Sequence, residues 1–570
     1  MSWTAIRRGA LVAACTAAVV GTAVIGEASV APPTGDLMRL IIRESAPGTA
    51  AAETAVRALG GQVVSRLSII GGFVADVPAA SVSELRQTPA VAHAWQDGSV
   101  RVRDDAAPMY DCDDDAAADD DQGLECYDAF PPNKAWPKAI GLHAVPPETA
   151  GEGVTIAVLD TGITKTRDFG DRVVARVDLT PDGDGYDGYG HGTNMAGIVG
   201  ADGARSGGKW RGVATGVSLL PVKVADWNGA TDVSVVLAAM EWIAVHREEY
   251  GIDILSLSYG TDSSQTYELD PLDFAVERLW SFGVVVVAAA GNRGEGGSKI
   301  DKPGDDPRVI TVGAADLHGT VRTADDTVAP FSSRGPTHDG VAKPDLVAPG
   351  ITIVSQRAPK STLDAMRPTA RVGKHYFKGT GTSQATAMVA GVAALVLDAA
   401  PGLSPDQVKK ILITTATPMA ESPYGSGAGL VNADRAVDLA STAPPDVEPP
   451  DVEPSTGAGS IDASRGGTKP YADLDGDGVP EQVSGEIDVL GATFDSELWA
   501  ARPWTETTWA ASPWSALTNV SPGWTETAWP PDSWPGMGWD EGSWTAKSWR
   551  DAGWDPSNWT AKSWRAAAWN

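Results

Sequence analysis

Val154-Thr155-Ile156-Ala157-Val158-Leu159 runs straight into Asp160-Thr161-Gly162. Six apolar or β-branched residues without polar alternation read as a strand buried on both faces, the mark of a parallel sheet. An acid and a glycine then stand at the strand end, where open α/β sheets keep their ligand crevice. Two more motifs come later in order, His191-Gly192-Thr193 and Gly381-Thr382-Ser383, each at the expected start of a helix. Together the three supply a carboxylate, an imidazole and a hydroxyl, the groups that acyl-transfer chemistry needs.

Outward from this stretch, strand and helix alternate. Apolar runs predict strands at 154–159, 217–224, 252–258, 283–289 and 308–313, with helical patterns at 232–249 and 271–281. The resulting fold class is α/β, a doubly wound parallel sheet with helices on both faces. The run 382–397 is a long, mostly apolar helix and should be buried. Ser404-Pro405 reads as a cap followed by proline in the first turn of another helix.

Each three-residue motif is weak alone. Asp-Thr-Gly after an apolar strand also marks aspartic proteases, but those need two such carboxylates and this chain has one Asp-Thr-Gly. The flanks decide. Tyr189-Gly190-His191-Gly192-Thr193-Asn194-Met195-Ala196-Gly197 and Gly381-Thr382-Ser383-Gln384-Ala385-Thr386-Ala387-Met388-Val389-Ala390-Gly391 closely resemble the subtilisin-like serine proteases, the subtilases. So do Ala288-Ala289-Ala290-Gly291-Asn292, Phe331-Ser332-Ser333-Arg334-Gly335-Pro336 and Lys343-Pro344-Asp345-Leu346-Val347-Ala348-Pro349-Gly350. The order Asp, His, Ser is also that of subtilisin.

The resemblance covers residues 136–440 and implies a serine endopeptidase with catalytic Asp160, His191 and Ser383. It makes Asn292 the oxyanion donor. It makes Ser258, Tyr259 and Gly260, with Ala289, Ala290 and Gly291, the two edges that bind an extended polypeptide substrate. Arg293 and Asp301 map near the base of the primary specificity pocket, where opposite charges are able to pair. No cofactor is expected for the chemistry. Three positions depart from the family pattern: Ala387 replaces a usual proline, and Asn194 and Met195 replace histidine and valine.

The 570 residues call for several domains. A formal net charge of −30 argues against nucleic-acid binding, which needs basic patches. Arg7 and Arg8, the apolar stretch 9–25 and Gly26-Glu27-Ala28 read as an export signal over 1–28, and no later segment is expected to cross a membrane. This implies a secreted protein, or one held at the cell surface. Cys112 and Cys126 would then form a disulfide in the acidic linker 101–135.

Residues 37–100 carry a β-α-β-β-α-β pattern, a small ferredoxin-like α+β module. It resembles the inhibitory propeptide of subtilases, which makes the chain a self-inhibited precursor and the propeptide an internal partner.

Past the catalytic segment, 441–470 is rich in proline and acid and reads as a spacer. Within 471–494, Asp473, Asp475 and Asp477 fit the first half of a calcium-binding loop. Ser484 stands where that loop needs glutamate, so a polar turn is the competing reading.

The segment 495–570 repeats every five residues. Tryptophan stands at 499, 504, 509 and 514 and from 524 to 569 in the same register, with Asn519 in the one missed slot. Neither a helix nor a strand of that period makes one apolar stripe. Exposed indoles would bind a glycan, a cell wall or another surface. Rings packed as a core are the alternative. A rival reading of the whole chain is an adhesive surface protein whose protease unit processes only itself.

Overall fold

The strand at the front of the sequence argument is Thr155–Asp160, buried at all six positions. It lies in the middle of a nine-stranded sheet. The computed structural model describes residues 37–45, 49–67, 72–86, 88–96, 134–180, 183, 185–296, 299–448, 450–467, 469–472, 474 and 481–523. The expected signal segment, Cys112 and Cys126, Asp473, Asp475 and Asp477, and the repeats from Trp524 onward lie outside these residues. The chain divides into two units, Met1–Pro108 and Met109–Asn570.

In the first unit β1 (Leu37–Glu44), α1 (Ala51–Ala58), β2 (Gln62–Leu67), β3 (Gly72–Pro78), α2 (Val82–Arg86) and β4 (Val91–Gln96) come in the expected order. The strands form an antiparallel sheet in the order β2-β3-β1-β4. Leu40, Ile42, Val56, Phe73, Val77 and Leu85 make its core. Gly61 is required where α1 turns back: a Cβ there would stand 2.9 Å from the Asp76 carbonyl oxygen.

The second unit holds the large sheet. Its strands are β5 (Thr155–Asp160), β6 (Ala175–Asp178), β7 (Ser218–Lys223), β8 (Ile252–Leu257), β9 (Val285–Ala289), β10 (Ile310–Asp316), β11 (Thr327–Val328) and β12 (Leu346–Pro349). A three-stranded antiparallel sheet adds β13 (Ile353–Gln356), β14 (Arg371–Val372) and β15 (Tyr376–Gly379). A short hairpin pairs β16 (Tyr471–Ala472) with β17 (Glu481–Gln482), and β18 (Asn519–Pro522) comes last.

The large sheet runs β11-β10-β9-β8-β5-β7-β6-β18, with β12 also on β10. All pairs are parallel except those of β11 and β18. Leu159 pairs with Leu257 and Leu257 with Ala288, so β5, β8 and β9 end level. The turns beyond these strand ends, at Asp160, Ser258 and Ala290, therefore leave the sheet along one edge.

Flanking helices are α3 (Trp136–Ala139), α4 (His191–Gly200), α5 (Val233–Tyr250), α6 (Pro271–Ser281), α7 (Thr362–Met366), α8 (Thr382–Ala399), α9 (Pro405–Thr415), α10 (Pro423–Ser426) and α11 (Ala433–Thr442). As its composition requires, α8 is buried, from Thr382 through Leu397, and it packs on α4 and across β8, β9 and β10. Ser404 caps α9 in a reciprocal box with Gln407.

For the first repeats of the tail the structure bears out the core alternative. Beyond α11 the chain adds α12 (Ile461–Ser464), α13 (Ser496–Ala501), α14 (Glu506–Ala510) and α15 (Pro513–Leu517). Trp499, Trp509 and Trp514 sit on α13, α14 and α15 and Trp504 in the link between α13 and α14, and all four return to the same core, only 5–7% exposed. Helix α14 packs on α5, and α13 packs on α6. The Trp499 ring meets Phe274 of α6 edge-on at 5.7 Å and Trp504 at 5.3 Å. At the missed slot, Asn519 opens β18 and donates to the Gly183 carbonyl, and β18 caps the β6 edge of the sheet. Helix α5 explains why: it is buried from Val233 through Ala244, on every side. A helix apolar all round needs cover on its outer face as well. The segment 496–517 covers α5 and α6, its four indoles belong to the core and not to an adhesive surface, and the core carries on past the expected boundary at 440.

Candidate active site

Asp160 is the last residue of β5, and the turn after it is built to hold its carboxylate. The Thr161 backbone N–H donates to Asp160 Oδ1 at 2.8 Å. His191, first residue of α4, brings Nδ1 to 2.8 Å from Oδ1 and 2.9 Å from Oδ2 of Asp160. Both side chains are about 1% exposed, so this pair is shielded from competing water.

A second carboxylate sets the start of α4. Asp187 accepts from the backbone N–H of Gly190 at 2.5 Å and of Thr193 at 2.7 Å, and from the Thr161 hydroxyl at 2.8 Å. Thr161 Oγ1 in turn accepts from Gly192 N at 2.9 Å. Asp187 thus satisfies donors at the helix N-terminus that have no partner within the helix, and locks the turn carrying His191 to the turn carrying Asp160. Burial pushes its carboxyl up, against the hydrogen bonds of Thr193, Gly190 and Thr161. Gly192 is required here, since a Cβ would stand 2.2 Å from the Gly162 carbonyl oxygen.

Ser383 is the second residue of α8 and is buried. Strand β15 links its helix to that of His191. Phe377 O accepts from Asn194 Nδ2, three residues beyond His191, at 3.2 Å. Strand β15 then feeds through Thr380-Gly381 into α8. Asn194, one of the departures from the family pattern, is therefore a buried tie between α4 and β13–β15, for its Nδ2 also reaches Gln356 O at 3.3 Å. Met195 and Ala387 are both fully buried in the core.

Asn292 leaves β9 and turns its side-chain oxygen onto the start of α8. Oδ1 accepts from Thr382 N at 2.9 Å and Thr382 Oγ1 at 3.1 Å. These two bonds tie Asn292 to the turn that carries Ser383, the next residue in the chain. Ser333 fixes the same turn, donating its N–H to Gly291 O at 2.9 Å and accepting from Arg293 N at 3.0 Å through its hydroxyl. That gives the Phe331-Ser332-Ser333 segment a physical purpose.

Ser258, Tyr259 and Gly260 leave β8 next to Ala289, Ala290 and Gly291. Asp301 sits between the two glycines: a Cβ on Gly260 would lie 2.8 Å from Asp301 Cβ, and one on Gly291 2.2 Å from Oδ2. Arg293 Nε meets Asp301 Oδ1 at 2.7 Å. Burial pushes the Asp301 carboxyl up to about 8, and Arg293 works against that rise. The two charges mapped from the sequence do pair. Among the described residues no group of three or more His, Cys, Asp or Glu side chains is arranged to hold a metal ion.

A family model described as the Subtilase family matches residues 151–434. Over 291 residues the chain is 35% identical to Subtilisin DY of Bacillus licheniformis, covering 50% of this chain and 91% of that protein. The chain belongs to the subtilase family. The chain is 44% identical to Serine protease AprX of Bacillus subtilis (strain 168) over 294 residues, 50% of this chain and 66% of the relative. The Extracellular serine proteinase of Thermus sp. (strain Rt41A) is 32% identical over 350 residues, 61% of this chain and 71% of that one. In class the chain is a subtilisin-like serine endopeptidase, and subtilases need no cofactor for catalysis.

The sequence reading singled out Asp160, His191, Ser383 and Asn292 but passed over Asp187, Thr161 and Thr193. No local signal marks Asp187: the N-cap position is Gly190, and Asp187 reaches the helix start from three residues further back.

Proposed function

We propose that this subtilase hydrolyses peptide bonds with Ser383 as nucleophile, His191 as general base and Asp160 as the group that orients the imidazole. Ser383 Oγ attacks the scissile carbonyl carbon as His191 Nε2 takes its proton. The same nitrogen then returns the proton to the leaving amine. Asp160 holds Nδ1–H and stabilises the imidazolium. The oxyanion of the tetrahedral intermediate takes hydrogen bonds from Asn292 Nδ2 and from the Ser383 backbone N–H in the first turn of α8. The substrate lies extended between the edges 258–260 and 289–291, and pairs with their backbone.

The observation that carries this reading is the buried Asp160–His191 contact at 2.8 Å, locked by Asp187 and Thr161. Both side chains are buried, and a carboxylate, which only accepts, favours the imidazole tautomer with its proton on Nδ1. The β-α-β-β-α-β unit at 37–96 has the architecture expected of the inhibitory propeptide, so we infer a precursor that is cut somewhere in the stretch beyond Asp97 and exported by the segment 1–28. A structural calcium ion at Asp473, Asp475 and Asp477, a Cys112–Cys126 disulfide and a glycan or cell-wall ligand for the repeats past 523 belong to the same reading.

The test is turnover of an unfolded, unrelated polypeptide by the purified full chain. Cleavage and loss of the N-terminal unit are expected from the wild type, and neither from Ser383→Ala. Undiminished cleavage by Ser383→Ala would refute the assignment.

A further inference from the structure

The family match ends at residue 434, yet the chain beyond it returns to the substrate edge. Thr261, just past Gly260, donates its hydroxyl to the Ser464 carbonyl at 2.5 Å. The next residue, Asp262, accepts from Gly467 N at 2.7 Å. Between these contacts lies Gly466, at φ +68°, where a Cβ would stand 2.3 Å from Asp262 Oδ1 and 2.8 Å from Ser263 N. No side chain fits at that approach.

The segment is itself firmly seated. Ser464 Oγ donates to Asp270 Oδ1 at 2.7 Å, and Asp270 is the residue that caps α6. Arg465 Nε reaches Asp232 Oδ2 at 2.7 Å, and Asp232 caps α5. That pair is about 1% exposed on both sides. Further along, Ser460 N donates to Gln265 Oε1 at 2.9 Å and Thr456 N to Glu268 O at 2.7 Å.

The opposite side of the edge is bounded too. Thr261 and Lys302 exchange two backbone hydrogen bonds, at 3.0 and 2.9 Å, which fasten it to the loop carrying Asp301. The stretch 258–262 is thus clamped between the pocket floor and a segment that the family match does not include.

We propose that residues 455–467 are a backing strap of the peptide-binding edge, with Gly466 and Arg465 as its positioning residues. An extended substrate gains affinity by pairing with backbone groups that are already fixed. If those groups are free to shift, part of that gain goes into ordering them. The hydrogen bonds named above fasten the strap to 261–270 and to the caps of α5 and α6, so its effect falls on peptides long enough to use the edge. The proposal rests on the protease reading above.

The test compares a tetrapeptide anilide, which lies along the edge, with a small acetyl ester, which needs only the nucleophile and the oxyanion donors. The full chain is made as wild type, Asp262→Ala and Gly466→Ala, with far-UV circular dichroism as the check of folding. Asp262→Ala removes the Gly467 anchor at a half-buried position, and so keeps the test open if Gly466→Ala fails to fold. In each folded variant the ratio of kcat/KM for the anilide to kcat/KM for the ester should fall about tenfold, chiefly through a higher KM. An unchanged ratio, or loss of both activities in parallel, would overturn the proposal. Were the protease reading itself wrong, the wild type would hydrolyse neither substrate in a Ser383-dependent way, which is a separate result.

Discussion

Replacing Trp499 with alanine should destabilise the catalytic unit by about 4 kcal/mol, although this residue lies 65 positions beyond the end of the family match. The indole is 6% exposed and packs against Phe274, Trp504 and Phe494. A buried aromatic side chain removes roughly 200 Å² from water. At about 25 cal/mol per Å² that is about 5 kcal/mol, an upper bound because the unfolded chain already hides part of its surface. Truncations of buried Phe or Trp to alanine cost about 3–5 kcal/mol. Leu498, the preceding residue, is 70% exposed and supplies an internal control. Leu498→Ala should change stability by less than about 0.5 kcal/mol. The assay is urea unfolding followed by far-UV circular dichroism, with Ser383→Ala as the background so that no self-cleavage intrudes. A cost below about 1 kcal/mol for Trp499→Ala, or an equal cost for Leu498→Ala, would refute the claim that the first repeats are core.

Two further outcomes are expected from the site and its surroundings. Asn292→Ala should lower kcat about 10²–10³-fold with little change in KM, the loss known for one such donor in subtilisin; steady-state kinetics on a peptide anilide would measure it, and a loss confined to KM would speak against an oxyanion role. Burial, reinforced by the Asp306 carboxylate, pushes Glu277 up to about 8, so the folded chain holds a proton that the unfolded chain releases at lower pH. Stability should therefore fall as pH rises from the ordinary glutamate range through about 8. Glu277→Gln keeps a donor toward Asp306 and should flatten that slope in urea titrations at pH 5 and pH 8, whereas an equal or steeper slope would exclude Glu277 as its source.

Much of the site was legible in the sequence because its parts sit at punctuation. Asp160 ends a continuous apolar strand, and His191 and Ser383 stand just after glycines that open helices. Asn292 comes after a strand and precedes a glycine-rich turn. Such positions are marked by local physics, and the helices at 233–250 and 271–281 were visible through the same signals. β6 and β12 were missed, being four residues each and too short for periodicity to register.

For the first repeats the sequence left the choice between surface and core open, for a different reason. A five-residue period matches no regular element, so the repeat alone said nothing about what would face its indoles. The missing information lay in α5, more than 250 residues earlier, whose stretch 233–244 is buried all round and required a cover. Likewise Arg465 gave no local sign of its role, since its partner Asp232 is 233 residues away. Long-range pairing of this kind becomes visible only in the folded chain.

The most direct test of the central claim is to treat the purified full chain with a small serine-directed phosphonylating reagent and locate the adduct by peptide mass spectrometry. One adduct per chain on Ser383, formed in step with loss of peptidase activity and much more slowly in His191→Ala, is the expected result. Inactivation with the adduct on another residue, or full activity after Ser383 has been modified, would contradict it.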